Sequence, residues 1–598
     1  MVAQKRLPDR KGKLIPIGPR TRLDGPQLAG WAPRATPPAD HRLREEVDVA
    51  VPMPDGVVLR ADVFRPQEPG RYPALVSWSA YPRFIQTSGA PAFNNEAGVV
   101  GFTVARGYAH VLVSARGIGG SEGSFDPWFS PQEQDDMADS IAWVAEQPWC
   151  DGNVGMMGIS YFAMSQLLAA ARRPPALKAI FPYDFSTDLY RHVIYHGGLP
   201  NADFDGLYAG VNGDRNTLER TVPPSLPNAM SHLLDHQSVG EAFDRLFPRI
   251  MRRLVRDSRP REEFVRAYAR VIADEPYGGG WYDERSAWPV LDKIEVPTGL
   301  GVTQGAVALH QFGPYDAWHR MKAPRKLFVG PPDAARPWKT FHEEILAFYD
   351  FHLKGVDNGY DELSPVRYWL QGANEWREAE DWPPPDAQKV RYYPAPRSAD
   401  PKETHPLAPD APSGEDELTF LALPRSTLYP GEVDRYESQV LRFATEPFSE
   451  DTEMAGPLTL SLRVSSTAID TYLAARLSDL YPGGKRLSLS FGYQRAAIRR
   501  VDQARSTPTE IVHERGAVEP LTPGEPVQLV LSMTVGTNLF REGHKLLLEL
   551  GSRTDLIGAS FTEGFVYFDL DAPPYPARNT LHAGKDSYLG ISVRPSSS

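Results

Sequence analysis

The hydrophobic pattern of the chain changes near residue 355, and this change constrains the fold more than any other feature. Before it, apolar runs of strand length, such as 72–78 and 108–113, alternate with stretches of helical periodicity. Strands that alternate with helices build a parallel sheet covered by helices on both faces. After it, short alternating segments such as 458–464 and 527–533 are separated by turns rich in proline and glycine. That spacing is typical of a β-sandwich, so the sequence predicts an α/β unit followed by a sandwich.

A third pattern interrupts the α/β part. Between about 184 and 290 the sequence shows helical stretches without strands, for example over 239–247 and 262–273. An insertion of this kind between two α/β segments predicts a helical cap. The predicted organisation is an N-terminal extension over 1–45, an α/β domain over 46–183 and 291–360, a helical cap over 184–290, and a C-terminal sandwich over 361–598.

Composition excludes several classes of protein. The 76 acidic residues exceed the 64 basic ones, which argues against nucleic acid as a partner because phosphate binding needs clustered positive charge. With Cys150 as the single cysteine, the chain forms neither an internal disulfide nor a cysteine-based metal site. It has no apolar run of about 18 residues and no apolar core of a secretory signal. We therefore expect a cytoplasmic protein with no membrane partner and no cofactor or metal; a homo-oligomer is left open.

The segment Gly158-Ile159-Ser160-Tyr161 carries the clearest chemical signal. It follows an apolar strand predicted over 154–158 and precedes a helical run from 162 to 172. In that context a G-x-S turn holds the serine at a strained strand-to-helix corner, with its hydroxyl exposed and the next backbone N–H directed at an oxyanion. A serine that merely caps a helix would show the same three letters. The strand before it and the helix after it favour the nucleophile turn.

Several longer segments around this turn follow one another in order: 53–59 (MPDGVVL), 79–82 (SAYP), 115–123 (ARGIGGSEG), 147–161 (QPWCDGNVGMMGISY), 348–355 (FYDFHLKG), 375–384 (EWREAEDWPP) and 539–544 (LFREGH). Together they closely resemble the family of cocaine esterase, X-Pro dipeptidyl peptidase and α-amino-acid ester hydrolase, over roughly residues 46–598. The resemblance implies an α/β-hydrolase fold with a helical cap and a C-terminal jelly-roll β-sandwich that closes one side of the active site. It also implies that Ser160 is the nucleophile and that the Tyr81 hydroxyl and the Tyr161 N–H form the oxyanion hole.

The resemblance breaks at the positions of the acid and the base. In the family the acid ends a Gly-Trp-Tyr-Asp-like segment after the cap, and the base ends a Gly-Pro-Trp-x-His segment. The corresponding positions here hold Ala306 and Ala334. Asp333 stands beside the second position, but it is a carboxylate where an imidazole is expected. Because histidine takes the proton of the serine hydroxyl in such enzymes, the sequence keeps the carbonyl-binding half of the site and lacks the proton-transfer half.

One explanation is that other side chains supply the base and the acid. His192 and His196 are spaced i, i+4, which predicts one helical face at the start of the cap. His310, Asp316 and His319 follow shortly after the missing acid. A single histidine is more often packed or exposed than catalytic, and no third ligand near 192 and 196 completes a metal site.

Two further explanations stay open. The oxyanion-binding groups Tyr81, Ser160 and Tyr161 could stabilise an anion in a non-hydrolytic reaction, as in a lyase, a decarboxylase or a cyclase. Alternatively, the chain is a ligand-binding pseudoenzyme. On the strength of the resemblance we predict a serine hydrolase or acyltransferase-like enzyme that acts on the ester or amide carbonyl of a small-molecule substrate.

Overall fold

The computed structural model describes residues 13–15, 34–39, 41–81, 83–86, 96–201, 204, 279–304, 308–332, 342–424, 438–554, 556, 570 and 572–595. Most of the predicted cap, including the helices predicted over 239–247 and 262–273, lies outside the described residues. So do Ala306, Asp333 and Ala334.

Strands of the first part of the chain build an α/β sheet. Up to residue 379 they are β1 (Lys13–Ile15), β2 (Leu43–Pro52), β3 (Val58–Pro66), β4 (Tyr72–Ser79), β5 (Ala109–Ser114), β6 (Cys150–Ile159), β7 (Leu177–Tyr183), β8 (Tyr195–His196), β9 (Leu199–Pro200), β10 (Thr298–Thr303), β11 (Arg325–Gly330), β12 (Val366–Leu370) and β13 (Glu375–Ala379). Eleven of them form one sheet in the order β1-β2-β3-β5-β4-β6-β7-β10-β11-β12-β13, while β8 pairs only with β9. From β5 to β12 in this order the neighbouring strands run parallel.

The described helices lie between these strands, as the alternating pattern predicts. They are α1 (Arg83–Gln86), α2 (Val100–Ala105), α3 (Pro131–Ala145), α4 (Tyr161–Ala171), α5 (Gly280–Asp283), α6 (Gly313–Arg320) and α7 (His342–Lys354), with a π-helical turn at Tyr190–Ile194 and 3₁₀ turns at Leu291–Lys293 and Ala308–His310. None of the helices in the described part of the chain is long and apolar enough to cross a membrane.

Both faces of the parallel sheet are buried, which explains the continuous apolar runs in its strands. Successive residues of a strand point to opposite faces, and Met156 and Met157 of β6 accordingly belong to two different cores. Met156 packs in the cluster that holds α3 and α4. Met157 packs in the cluster that holds α7. The carboxyl ends of the strands between these layers form the edge that carries the candidate site.

The C-terminal part of the chain is a β-sandwich. Its strands are β14 (Gln388–Pro394), β15 (Thr404–Ala408), β16 (Asp416–Ala422), β17 (Val440–Ala444), β18 (Thr452–Met454), β19 (Leu458–Ser466), β20 (Tyr472–Leu480), β21 (Arg486–Arg495), β22 (Val527–Met533), β23 (Asn538–Phe540), β24 (Lys545–Gly551), β25 (Ala577–Ala583) and β26 (Tyr588–Arg594). The predicted segments 458–464 and 527–533 pair antiparallel within β19 and β22. A leucine-rich core, which includes Leu460, Leu477 and Leu548, fills the interior. The architecture is thus an α/β-hydrolase core followed by a jelly-roll β-sandwich, as predicted.

Three details differ from the sequence-based expectation. The α/β sheet extends past the predicted boundary between residues 360 and 361, because β12 pairs parallel with β11 and β13 follows as the edge strand. It also reaches into the predicted N-terminal extension 1–45, through β1 and the start of β2. The segment 184–290, predicted to be free of strands, contains the two-residue strands β8 and β9.

Candidate active site

Ser160 stands at the turn between β6 and α4, with backbone angles φ 58° and ψ −120°. A positive φ is unusual for a residue other than glycine and costs free energy unless neighbouring contacts hold it. Here the Ser160 N–H donates to the carbonyl oxygens of Asp184 (2.8 Å) and Tyr183 (3.3 Å) in the next strand. Gly158 is required two residues earlier, since a Cβ there would collide with the side chain of Phe162. The predicted strand, turn and helix are all present in the structure.

The Ser160 side chain is half-buried at the carboxyl edge of the sheet. Its hydroxyl does not cap α4, which distinguishes this turn from an ordinary helix N-cap. Among the described residues, none hydrogen-bonds the Ser160 Oγ. The hydroxyl is therefore held in place by the backbone alone and is not committed to a structural contact.

Tyr81 lies beside this turn because β4 and β6 are neighbouring parallel strands. It is the second residue after the carboxyl end of β4, and its N–H donates to Ser79 Oγ (2.8 Å). The Tyr81 ring packs 5.6 Å from the ring of Tyr161 and 5.9 Å from that of Phe162, measured between centroids. The structure thus brings together the three residues that the sequence assigned to carbonyl chemistry: Ser160, Tyr81 and Tyr161.

Asp184 is a buried carboxylate at this edge that the sequence analysis did not identify. It follows β7 directly, has φ 50° and donates its N–H to the carbonyl of Gly301 (3.0 Å). Its carboxylate accepts from the N–H (2.6 Å) and the hydroxyl (3.0 Å) of Thr303 at the end of β10. Because its own carbonyl receives the Ser160 N–H, Asp184 joins the ends of β6, β7 and β10. The signal in the sequence was an acidic residue immediately after an apolar strand.

The prediction that His192 and His196 lie on one helical face is wrong. His192 belongs to the π-helical turn and His196 to β8, because two glycines at 197 and 198 reverse the chain with positive φ angles of 56° and 82°. His192 Nε2 lies 3.0 and 3.2 Å from the two carboxylate oxygens of Glu510. His192 Nδ1 lies 3.4 Å from the N–H of Asp188. With both ring nitrogens engaged, His192 is not available as a base in this arrangement.

Glu510 comes from the sandwich and belongs to a buried ion cluster with side chains of the segment that follows β7. Arg191 donates from Nη1 to Glu510 (2.8 Å) and from Nε to Asp188 (2.8 Å). Arg505 of the sandwich also contacts Asp188 (2.8 Å). Burial raises the pKa of the Glu510 carboxyl, but Arg191 and His192 outweigh burial and lower it to about 2. The cluster therefore stays charged at neutral pH and binds the sandwich to the α/β domain.

His196 and His319 also lie in contacts with the sandwich. His196 packs edge-on against the ring of Tyr493, with 6.2 Å between centroids, and burial lowers its pKa to about 3. His319 Nε2 lies 2.9 Å from the hydroxyl of Thr509, and burial lowers its pKa to about 4. Neither ring hydrogen-bonds Ser160, so the structure does not bring these candidates to the nucleophile.

Asp316 is committed to structural contacts within the α/β domain. Its carboxylate accepts from Thr187 Oγ1 (2.6 Å) and from Arg320 Nε (2.6 Å). His310 is buried in a 3₁₀ turn after β10 and makes no hydrogen bond to Ser160. In the described ranges, no group of three or more His, Cys, Asp or Glu side chains is placed to hold a metal ion.

Two family models match the chain. Residues 55–333 match the X-Pro dipeptidyl-peptidase (S15 family). Residues 358–589 match the X-Pro dipeptidyl-peptidase C-terminal non-catalytic domain. The first match includes Ser160 and its neighbours, and the second includes the sandwich.

Known proteins resemble the chain over nearly its whole length. Cocaine esterase of Rhodococcus sp. (strain MB1 Bresler) is 28% identical over 548 residues, which cover 84% of this chain and 90% of the relative. Among solved structures, a CocE/NonD family hydrolase from Staphylococcus aureus superposes with a TM-score of 0.73 at 22% identity, covering 96% of this chain and 100% of that one. An α-amino acid ester hydrolase gives a TM-score of 0.66 at 19% identity, again with 96% and 100% coverage. The protein therefore belongs to the X-Pro dipeptidyl-peptidase (S15) family and is an enzyme with the α/β-hydrolase fold.

Proposed function

We propose that this protein is a serine hydrolase that cleaves the ester or amide bond of a small molecule through Ser160. The observation that carries the proposal is the backbone of Ser160, which is held at φ 58° between a strand and a helix, with a hydroxyl that does not cap the helix and bonds to none of the described residues. Strained turns persist where surrounding structure over-determines them, and they cluster at active sites. The relation to cocaine esterase supports an ester as the first substrate to test.

The proposed chemistry begins with attack of Ser160 Oγ on the carbonyl carbon. The carbonyl oxygen becomes an oxyanion, which accepts hydrogen bonds from the Tyr81 hydroxyl and the Tyr161 N–H. Each such donor contributes a factor of about 10²–10³ to the rate in well-studied hydrolases. Collapse of the tetrahedral intermediate expels the alcohol or amine and leaves an acyl group on Ser160, and water then releases the acid.

The proposed reaction needs a group that accepts the proton of Ser160 Oγ, and the candidate histidines are engaged elsewhere. His192 has both nitrogens engaged, and His319 is bonded to Thr509. None of the described histidines hydrogen-bonds Ser160 Oγ. A triad enzyme that lacks this contact loses about 10⁴–10⁶ in rate, although the oxyanion hole retains part of the catalysis. We therefore expect hydrolysis to be slow and to rise with pH as hydroxide takes the proton.

The test is hydrolysis of p-nitrophenyl acetate by the wild-type protein and by S160A and Y81F. We expect S160A to lower kcat at least about 100-fold, and Y81F to lower it by about 10²-fold through loss of one oxyanion donor. Circular dichroism would show that both variants keep the fold. A S160A protein that retains kcat within about tenfold would refute covalent catalysis.

A second candidate is a non-hydrolytic carbonyl reaction, favoured by the alanines at positions 306 and 334. In that case Tyr81 and the Tyr161 N–H stabilise an enolate-like anion, and Ser160 is a hydrogen-bond donor rather than a nucleophile. Y81F would then abolish turnover, while S160A would only reduce it. A ligand-binding pseudoenzyme would bind small carbonyl compounds equally well with and without these substitutions and turn over none.

A further inference from the structure

Glu133 is a buried carboxyl that no part of the reaction proposed above uses. It is the third residue of α3, and its N–H donates to the hydroxyl of the N-cap residue Ser130 (3.2 Å). A glutamate at this position of a helix usually turns back to its own N-cap and stays near solvent. Here the residue is only 5% exposed, and its side chain points beneath the nucleophile turn.

Three donors from three different elements converge on this carboxylate. Oε1 accepts from the Tyr161 hydroxyl of α4 (2.7 Å) and from Trp78 Nε1 of β4 (3.0 Å). Oε2 accepts from the N–H of Phe129 in the loop before α3 (2.8 Å). Hydrogen bonds to a charged acceptor are shorter and stronger than neutral ones. One side chain therefore connects helix, strand and loop at the base of the candidate site.

These partners are the supports of the two proposed oxyanion donors. Tyr161 follows Ser160 and contributes the backbone N–H. Trp78 lies on β4, three residues before Tyr81. The Phe129 ring also packs 4.1 Å from the ring of Tyr161, between centroids. A displacement of about 1 Å in such a site costs about 10² in rate. The distance between the two oxyanion donors therefore depends on Glu133, which binds both Tyr161 and Trp78.

We propose that Glu133 is a positioning residue that holds Tyr161 and β4 together, so that the Tyr161 N–H and the Tyr81 hydroxyl meet at one oxyanion. The inference rests on the hydrolase function proposed above. Glu133 does not touch the substrate; it acts through Tyr161 and Trp78.

The ionisation of Glu133 gives this role a signature. Burial raises its pKa to about 7, against the hydrogen bonds from Trp78 and Tyr161, which favour the charged form. The charge of Asp136 on the same helix also raises this pKa, and Asp136 itself is paired with Arg116, which follows β5 (2.5 Å from Nε to Oδ2). Protonation weakens the carboxylate as an acceptor, so we expect an additional step in kcat near pH 7, on top of the rise with pH that hydroxide causes.

The experiment compares E133Q, Y161F and the double variant with a matched control. The control is E344Q: Glu344 is also a buried carboxyl, 3% exposed, whose pKa burial raises to about 8. It lies on α7, which packs on the other face of the sheet. We expect E133Q to lower kcat on p-nitrophenyl acetate about 10- to 100-fold, to leave KM within about threefold, and to remove the additional step near pH 7 while keeping the hydroxide-dependent rise. E344Q should retain wild-type kcat and its pH profile.

Y161F keeps the backbone N–H and removes the hydroxyl that donates to Glu133, so it should reproduce most of the loss in E133Q even if E133Q folds poorly. The double variant should be no slower than the worse single variant, because both substitutions break one contact. A kcat of E133Q and Y161F within twofold of wild type would overturn the inference.

Failure of the hydrolase proposal is distinguishable from failure of this one. If the wild-type protein hydrolyses no ester, the function is wrong, and the role of Glu133 is then tested by denaturant unfolding of the wild type, E133Q, Y161F and the double variant. Non-additive losses of stability for E133Q and Y161F would support the connection between α3 and α4. Additive losses would overturn it.

Discussion

The nucleophile turn and the histidine-bearing segment after β7 lie at the same edge of the sheet, but they are held in different ways. Backbone hydrogen bonds from Ser160 to the neighbouring strand fix the turn and leave its hydroxyl uncommitted. In the second region, side chains of the sandwich occupy the histidines: Glu510 contacts His192, and Thr509 contacts His319.

These different contacts indicate a different role for each region. In the described part of the chain, the contacts shown for Ser160, Tyr81 and Tyr161 come from within the α/β domain. The histidines that could have replaced a lost base instead lie in the contact between the α/β domain and the sandwich. We call this contact the seam: it pairs His192 with Glu510, His196 with Tyr493 and His319 with Thr509. The burial of His196 and His319, which lowers the pKa of each ring, fits a structural role.

The largest effect on the seam should come from E510Q. Removing the carboxylate leaves Arg191 buried without one of its two anionic partners, and breaking a buried pair in this way costs about 3–5 kcal/mol of the free energy of unfolding. Denaturant unfolding would measure the loss. The control is D451N, which breaks the exposed pair with Arg541 and should cost at most about 1 kcal/mol. Equal losses in the two variants would show that the ion cluster does not hold the seam.

The next largest effect is expected at Asp184, which connects the ends of β6, β7 and β10; we call this connection the joint. D184N keeps one acceptor for Thr303 but loses the charge, so we expect a loss of about 1–3 kcal/mol in stability and about a tenfold lower kcat, since the Ser160 turn shifts. The exposed carboxylate Asp151, which accepts from the N–H of Asn153, provides the control D151N. If D184N and D151N had the same kcat, the joint would have no influence on the nucleophile.

The pH dependence of stability should have opposite signs in the two regions. The lowered pKa of Glu510 contributes stability that is present above its ordinary value of 4.5 and lost as the pH falls toward about 2. The raised pKa of Glu133 contributes stability that is present below 4.5 and lost as the pH rises through about 7. Unfolding measured across pH should therefore lose its acid-side slope in E510Q and its slope between 4.5 and 7 in E133Q. The same profile in both variants would contradict the assigned pKa shifts.

The smallest effect is expected for H319N. Its amide keeps a hydrogen bond to Thr509 within reach, and the ring does not contact Ser160, so kcat on p-nitrophenyl acetate should stay within about threefold of wild type. A loss of 10²-fold or more would identify His319 as a relocated general base, and it would place proton transfer in the seam after all.

Periodicity was sufficient to predict the elements of the α/β core. The apolar runs 72–78 and 108–113 and the strand predicted before Ser160 correspond to β4, β5 and β6. The same reasoning could not assign β12 to its sheet. Its five residues are all buried, and such a short apolar run fits a sandwich strand as well as a parallel one.

The contacts around the site depend on long-range packing that no local pattern contains. The spacing of His192 and His196 suggests a helix, but the turn that ends at Ile194 and the approach of Gly197 to the backbone of Tyr493 override it. Glu133 has the position of a solvent-exposed helix residue, and only the fold places Tyr161 and Trp78 against it. Asp184 acquires its partner Thr303 from a strand 119 residues later.

The most direct test of the central claim is the mass of the protein after brief reaction with p-nitrophenyl acetate. The account predicts one acetyl group on the wild-type chain, mapped by peptide analysis to Ser160, and none on S160A. Slow deacylation should let this acyl-enzyme accumulate, because no histidine of the described part of the chain activates water at the ester. Steady turnover without any acetylated Ser160, or an acetyl group at another residue that S160A retains, would contradict the claim that Ser160 is the nucleophile.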